Sequence, residues 1–206
     1  MIFGAKNYIH RETPGFWATQ TRNTVEKTYR LLITEIKKKY PDVKWSYLET
    51  CGASAAANCL IAVDKEVRIT CPGGYRPQLD CMIAEFFNDP NNEKVLNSIG
   101  YNSAMIQNNR VMAAYPLAVS KVSGHQCELV ELKTFKETID YFKNGYAIQM
   151  CLKTPGHYIC CILYDDEAKK IGCIDSWPER TGSHYFTIDE KEFIKNTFNS
   201  YLVYPA

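Results

Sequence analysis

Three residue types that cooperate in acyl transfer occur in order along this 206-residue chain: Cys51, His157 and Asp175. A thiol must become a thiolate to attack a carbonyl carbon, and the positive end of a helix dipole favours that anion. Cys51 opens the stretch Cys51-Gly52-Ala53-Ser54-Ala55-Ala56-Ala57-Asn58-Cys59-Leu60, a run of small, helix-compatible residues. The pattern puts the sulfur at a helix start, and its small neighbours let the helix pack closely. Taken alone, it fits a buried structural cysteine equally well. Two later stretches change the balance: Pro155-Gly156-His157-Tyr158-Ile159 and Ile174-Asp175-Ser176-Trp177-Pro178. A nucleophile needs a base within hydrogen-bond reach, and the base needs a group that fixes its tautomer.

The elements that must bring these residues together are legible around them. His157 to Tyr164 reads as a strand, Asp165 to Lys170 as a polar turn, and Ile171 to Asp175 as a second strand, which makes a β-hairpin. The far ends of a hairpin are neighbours. A histidine at the start of one strand and an aspartate at the end of the next can therefore pair directly. The helix headed by Cys51 is expected to run to about Val63. Before it, Asn23-Thr24-Val25-Glu26 resembles a capping box, Val25, Tyr29, Leu32, Ile33, Ile36 and Tyr40 form an apolar stripe, and Pro41 stops the helix. Residues 1–22 are aromatic and irregular.

Pro77 opens a predicted helix carrying Leu79, Met82, Ile83, Phe86 and Phe87, and Asn88-Asp89-Pro90-Asn91-Asn92-Glu93 breaks it. Those oxygens could hold a calcium ion, but they miss the alternating, glycine-centred template, so a helix-to-helix turn is the expectation. Residues 94–122 are helix-like, with Pro116 as a break. Leu129 to Leu132 reads as a short strand. Thr134-Phe135-Lys136-Glu137 is a second capping box, heading a helix that ends at Asn144-Gly145. Tyr146–Leu152, His184–Ile188 and Tyr201–Tyr204 read as strands, and Glu190–Asn196 as a helix. The expectation is an α+β fold, with a helical first half whose Cys51 helix packs on a C-terminal antiparallel sheet. One domain spans 1–206, with 1–44 an N-terminal extension and helix, and 64–122 a helical insertion or lobe.

Bulk properties remove several function classes. A net charge of +1 with 23% charged residues argues against electrostatic binding of nucleic acid. No apolar run approaches a membrane span, and the N-terminus lacks the pattern of a secretory signal, so synthesis in the cytoplasm is expected. The nine cysteines are odd in number and contain no Cys-x-x-Cys pair, which disfavours zinc and thioredoxin-like chemistry. Cys151, Cys160, Cys161 and Cys173 sit in apolar runs and read as small core hydrophobes. No cofactor or metal is expected. His125 and His184 are weaker candidates for the base than His157, and His10 reads as incidental.

Cys51-Gly52-Ala53-Ser54 resembles the nucleophile helix of papain-like cysteine peptidases. Gly156-His157-Tyr158-Ile159, followed by Leu163-Tyr164-Asp165-Asp166 and Ile174-Asp175-Ser176-Trp177-Pro178, resembles that superfamily's histidine and aspartate strands. The nearest branch is the one related to bacteriocin leader-processing peptidases. The resemblance covers 45–63 and about 145–180. It implies that Cys51 attacks an amide or thioester carbonyl, that His157 moves the proton, that Asp175 orients His157, and that the Cys51 N–H helps bind the oxyanion. The family's second oxyanion donor is a glutamine six residues upstream of the cysteine, where this chain has Trp45. Trp45 and Ser46 are the candidate donors, with Tyr47 and Gln20 behind them. Family analogy further implies a peptide substrate, peptidoglycan stem peptides or cross-links among them, for a stand-alone bacterial or phage hydrolase of endolysin type acting at the cell wall. A protein-cleaving effector or toxin, and an inactive binding or inhibitory module, are the alternatives.

Overall fold

The small-residue run forms the helix expected of it. In the computed structural model, which describes residues 1–18, 51–67, 78–99, 109–131, 134–178 and 182–206, Cys51–Val63 is an α-helix (α1) whose thirteen residues are all buried. A helix covered on every side belongs at the centre of a domain. The expected helix over 23–40 and the candidate donors Gln20, Trp45, Ser46 and Tyr47 lie outside the described residues.

Alanine, glycine and serine let α1 lie close to what surrounds it. Gln78–Asn88 (α2) and Tyr115–Ser123 (α4) pack nearby, with Glu93–Ser98 (α3) between them in sequence. Ser54 on α1 donates a hydrogen bond to Asp80 on α2 at 3.0 Å, and both side chains are fully buried. A Cβ on Gly52 would collide with the Tyr115 hydroxyl oxygen, so only glycine fits beside it. Pro116 occupies the first turn of α4 and thus opens a helix where a break was expected. Proline has no N–H to lose there, and its fixed φ suits the first turn. The Asn88–Glu93 segment is a turn: Asp89 accepts from the backbone and side-chain amides of Asn91, and Asn92 donates to the Phe86 carbonyl.

The second half builds the sheet. Its strands are Glu128–Glu131 (β2), Ala147–Leu152 (β3), His157–Asp165 (β4), Lys170–Ile174 (β5), Tyr185–Asp189 (β6) and Ser200–Tyr204 (β7), in the spatial order β2-β7-β3-β4-β5-β6. Neighbouring strands are antiparallel throughout. Phe135–Lys143 (α5) begins at Thr134, which caps Glu137, and gives way to Gly145 at φ 80°. Glu190–Asn196 (α6) is capped by Asp189. The expected irregular N-terminus contributes a seventh strand, Ile2–Gly4 (β1), against Leu163–Asp165 of β4. Three residues are too few to show a two-residue period, and the partner is remote in sequence.

Both faces of the central strands are covered, which explains their nearly unbroken apolar character. Ala147, Cys151, Tyr158, Cys160 and Ile162 join the core around α1, whereas Ile148, Met150, Ile159 and Cys161 join the core with Phe135 and Phe142 of α5 and Phe193 of α6. The alternation slips at Ile162, where a β-bulge lies between the pairs Cys161–Cys173 and Leu163–Gly172. As a result Ile162 and Leu163 both face the α1 side. The N-terminal segment is tied to α1 by Asn58. Its amide donates to the Ala18 carbonyl at 3.0 Å and accepts the Ala18 N–H at 2.7 Å. Asn7 adds a bond to the Ile61 carbonyl.

Candidate active site

Cys51 is the first residue of α1, at the positive end of a thirteen-residue helix. His157 is the first residue of β4, and Asp175 follows the last residue of β5. The hairpin therefore brings the two together, and His157 Nε2 lies 2.7 Å from Asp175 Oδ1. With Nε2 engaged, Nδ1 is the nitrogen left for the Cys51 thiol, which lies in hydrogen-bonding contact with the ring. The three residues singled out from the sequence thus converge on one place. Cys51 and His157 are each 3% exposed and Asp175 is fully buried.

Asp175 is held from several sides. Its Oδ1 also accepts the Trp177 N–H at 2.8 Å. Its own N–H donates to the His184 carbonyl at 2.7 Å, and His184 Nδ1 lies 3.4 Å from the Asp175 carbonyl oxygen. His184 thus meets the backbone of Asp175, while the carboxylate faces His157. His125 pairs instead with Asp64, just beyond the opposite end of α1, at 3.2 Å. His10 stacks on Phe16. Trp177 stands edge-on to His157 with ring centroids 6.2 Å apart and is 44% exposed.

Electrostatics favour a charged ring at His157. Burial alone would lower its pKa. Hydrogen bonds to Asp175 and Cys51, and the charges of both, outweigh that and push it up to about 9. An imidazolium hydrogen-bonded to the Asp175 carboxylate is compensated, as a buried charge must be. Such a ring beside a thiol can do nucleophilic chemistry and proton transfer without a metal ligand set. Among the described residues no group of three or more His, Cys, Asp or Glu side chains is arranged to hold a metal ion. Burial pushes the neighbouring Cys151 thiol up to about 12, which keeps it protonated. Cys161 and Cys173 face each other across β4 and β5 with sulfurs 3.3 Å apart.

One polar contact at the site was not singled out from the sequence. Gln149 sits in the middle of β3 and donates from Nε2 to the Gly52 carbonyl at 3.1 Å, while its Oε1 accepts from the Tyr204 hydroxyl at 2.6 Å. The available signal was one amide inside Ala147-Ile148-Gln149-Met150-Cys151-Leu152, an otherwise apolar strand.

A family model described as the Peptidase_C39-like family matches residues 32–204. The chain belongs to this family. It is accordingly a papain-like cysteine peptidase, in the branch related to bacteriocin processing that its motifs resemble. No curated protein matches this C39-like chain significantly. Among solved structures it is similar to a double glycine motif protease from an AMS/PCAT transporter, solved in complex with a leader peptide. That similarity has a TM-score of 0.43 at 14% identity, and covers 76% of this chain and 84% of the other.

Proposed function

We propose that the peptidase hydrolyses a peptide bond with Cys51 as nucleophile, His157 as general base and acid, and Asp175 as the group that orients His157. The single observation that supports this most is the imidazole bonded to Asp175 on one side and in contact with the Cys51 thiol on the other. The Cys51 sulfur, as thiolate, adds to the scissile carbonyl carbon, and the oxygen takes up the negative charge. The Cys51 N–H, at a helix end where N–H groups lack intrahelical partners, donates to that oxyanion. The C–N bond then breaks as His157 gives its proton to the departing amine, leaving a thioester on Cys51. Water attacks the thioester while His157 takes its proton, and the acid product leaves with the thiolate–imidazolium pair restored.

We take the stem peptides and cross-links of peptidoglycan as the substrate to test first, with an endolysin-like role at the cell wall. Family analogy supports that choice. The experiment is incubation with purified peptidoglycan and mass spectrometry of the released fragments, comparing wild type with Cys51→Ala. New amino termini released by wild type alone are the expected result. Unchanged wall removes the cell-wall substrate and leaves other peptides and protein substrates. Trp45 in the position of the family's glutamine favours a second reading, a binding or inhibitory module without activity. A Cys51 thiol no more reactive than an ordinary exposed one supports that reading.

A further inference from the structure

We propose that Gln149 is a positioning residue for Cys51: its buried amide, held by the Tyr204 hydroxyl, locks the first turn of the helix on which the thiol is mounted. The inference rests on reading Cys51 as the nucleophile.

The contact is costly enough to need a reason. All six residues of β3 are buried, and Gln149 is fully so. An amide taken out of water is unfavourable unless its donor and acceptor are both paired, and an apolar side chain would fill the site at less cost. Both ends of this amide are paired, and each by a group that leaves no ambiguity. A carbonyl can only accept, so the Gln149 NH₂ must face the Gly52 oxygen. The Gln149 oxygen then faces Tyr204, whose hydroxyl must donate. Burial pushes the Tyr204 pKa well above its ordinary value, which keeps that proton in place, and the Cys127 thiol is in hydrogen-bonding contact with the same hydroxyl. A chain of buried polar groups therefore runs from β7 through β3 to the start of α1.

Its end point matters because of what Gly52 is. The first turn of a helix lacks a complete hydrogen-bond ladder and frays. Glycine has the freest backbone of any residue and weakens a helix further. Here glycine is obligatory, since the Tyr115 hydroxyl occupies the space a Cβ would take. The residue that follows the nucleophile cannot be stiffened by a side chain of its own. Gln149 stiffens it from the sheet instead, through a bond that reaches across 97 positions of sequence. Displacing a nucleophile by about 1 Å can cost on the order of a hundredfold in rate.

The test uses the full chain and the iodoacetamide reaction rate of Cys51, read by peptide mapping between about pH 5 and pH 10. Far-UV circular dichroism and thermal unfolding are followed in parallel. Gln149→Leu removes the amide, Tyr204→Phe removes one oxygen, and Gln149→Glu restores a donor only when protonated. The expected result is a loss of about tenfold in rate near neutral pH for Gln149→Leu in folded protein, and a smaller loss for Tyr204→Phe. Relative to wild type, Gln149→Glu regains rate as the pH falls, because a neutral carboxyl can donate to Gly52 and accept from Tyr204. A purely structural role would lower the unfolding temperature and leave rate and pH profile alone. Folded Tyr204→Phe and Gln149→Glu proteins that label like wild type overturn the inference, whether or not Gln149→Leu folds. A wild-type Cys51 that labels at the rate of an ordinary exposed thiol overturns the nucleophile reading itself, which is a separate result.

Discussion

His157 and Asp175 meet at 2.7 Å at the two far ends of a hairpin, 18 positions apart in sequence and with both side chains buried. The carboxylate fixes which ring nitrogen carries a proton toward it and leaves the other for Cys51. Asp175→Asn keeps the shape, and its amide oxygen can still accept the Trp177 N–H. It cannot balance a ring charge. We expect kcat/KM on any cleaved peptide to fall by about 10²-fold or more, with little change in unfolding temperature. A loss under about threefold would show that the aspartate does not support the imidazolium.

Stability should depend on alkaline pH through the same ring. The folded pKa of His157, about 9, lies above the ordinary 6.5. The contribution is therefore complete below about pH 6.5 and is lost as pH rises through about 9. For a buried group the size is roughly 3 kcal/mol. Denaturant midpoints measured across that window should fall, and the imidazole proton resonance should titrate near the upper end. In Cys51→Ala the titration should move down, because the thiol is one source of the upward shift. A His157 midpoint at or below about 6.5 in wild type contradicts the electrostatic account.

Gly52→Ala should be harmful although alanine is the better helix former by about 1 kcal/mol. The new methyl meets the hydroxyl of a fully buried Tyr115 whose ring is set edge-on to Phe87, centroids 5.0 Å apart. The expected cost is about 1–3 kcal/mol of stability together with slower Cys51 chemistry. Adding Tyr115→Phe should recover part of both. Equal behaviour of the single and double variants would place the strain elsewhere.

Asn58→Ala should loosen the N-terminal segment. The Ala18 N–H and C=O lose their partner on α1, at about 1–3 kcal/mol for buried groups left unpaired. Limited proteolysis should cut within the first eighteen residues faster than in wild type. Unchanged cleavage would mean that pairing of Ile2–Gly4 with β4 holds the segment without Asn58.

Local chemistry made much of this visible in the sequence. Thr134 and Glu137 announced a capped helix, Gly145 its end, and the polar turn at 165–170 a hairpin. The hairpin in turn implies that Asp175 lies beside His157, as it does. Long-range features were not visible. The three-residue β1 is defined only by its partner, and Pro116 looks alike whether it breaks a helix or opens one. Gln149 reads as a stray polar residue until Gly52 and Tyr204 are set on either side of it. Gly52 looks like helix-weakening glycine until Tyr115 is found pressing on it. Trp45 and Ser46, the candidate second oxyanion donors, lie outside the described residues.

The central claim is that Cys51 and His157 form a thiolate–imidazolium pair. Its most direct measurement is the pH dependence of iodoacetamide alkylation at Cys51 in wild type and in His157→Ala. A pair predicts fast labelling that persists well below the ordinary thiol pKa of about 8.5, and that in His157→Ala becomes slow near neutral pH and rises only on the alkaline side. Superimposable profiles for the two proteins, both rising near pH 8.5, would contradict it.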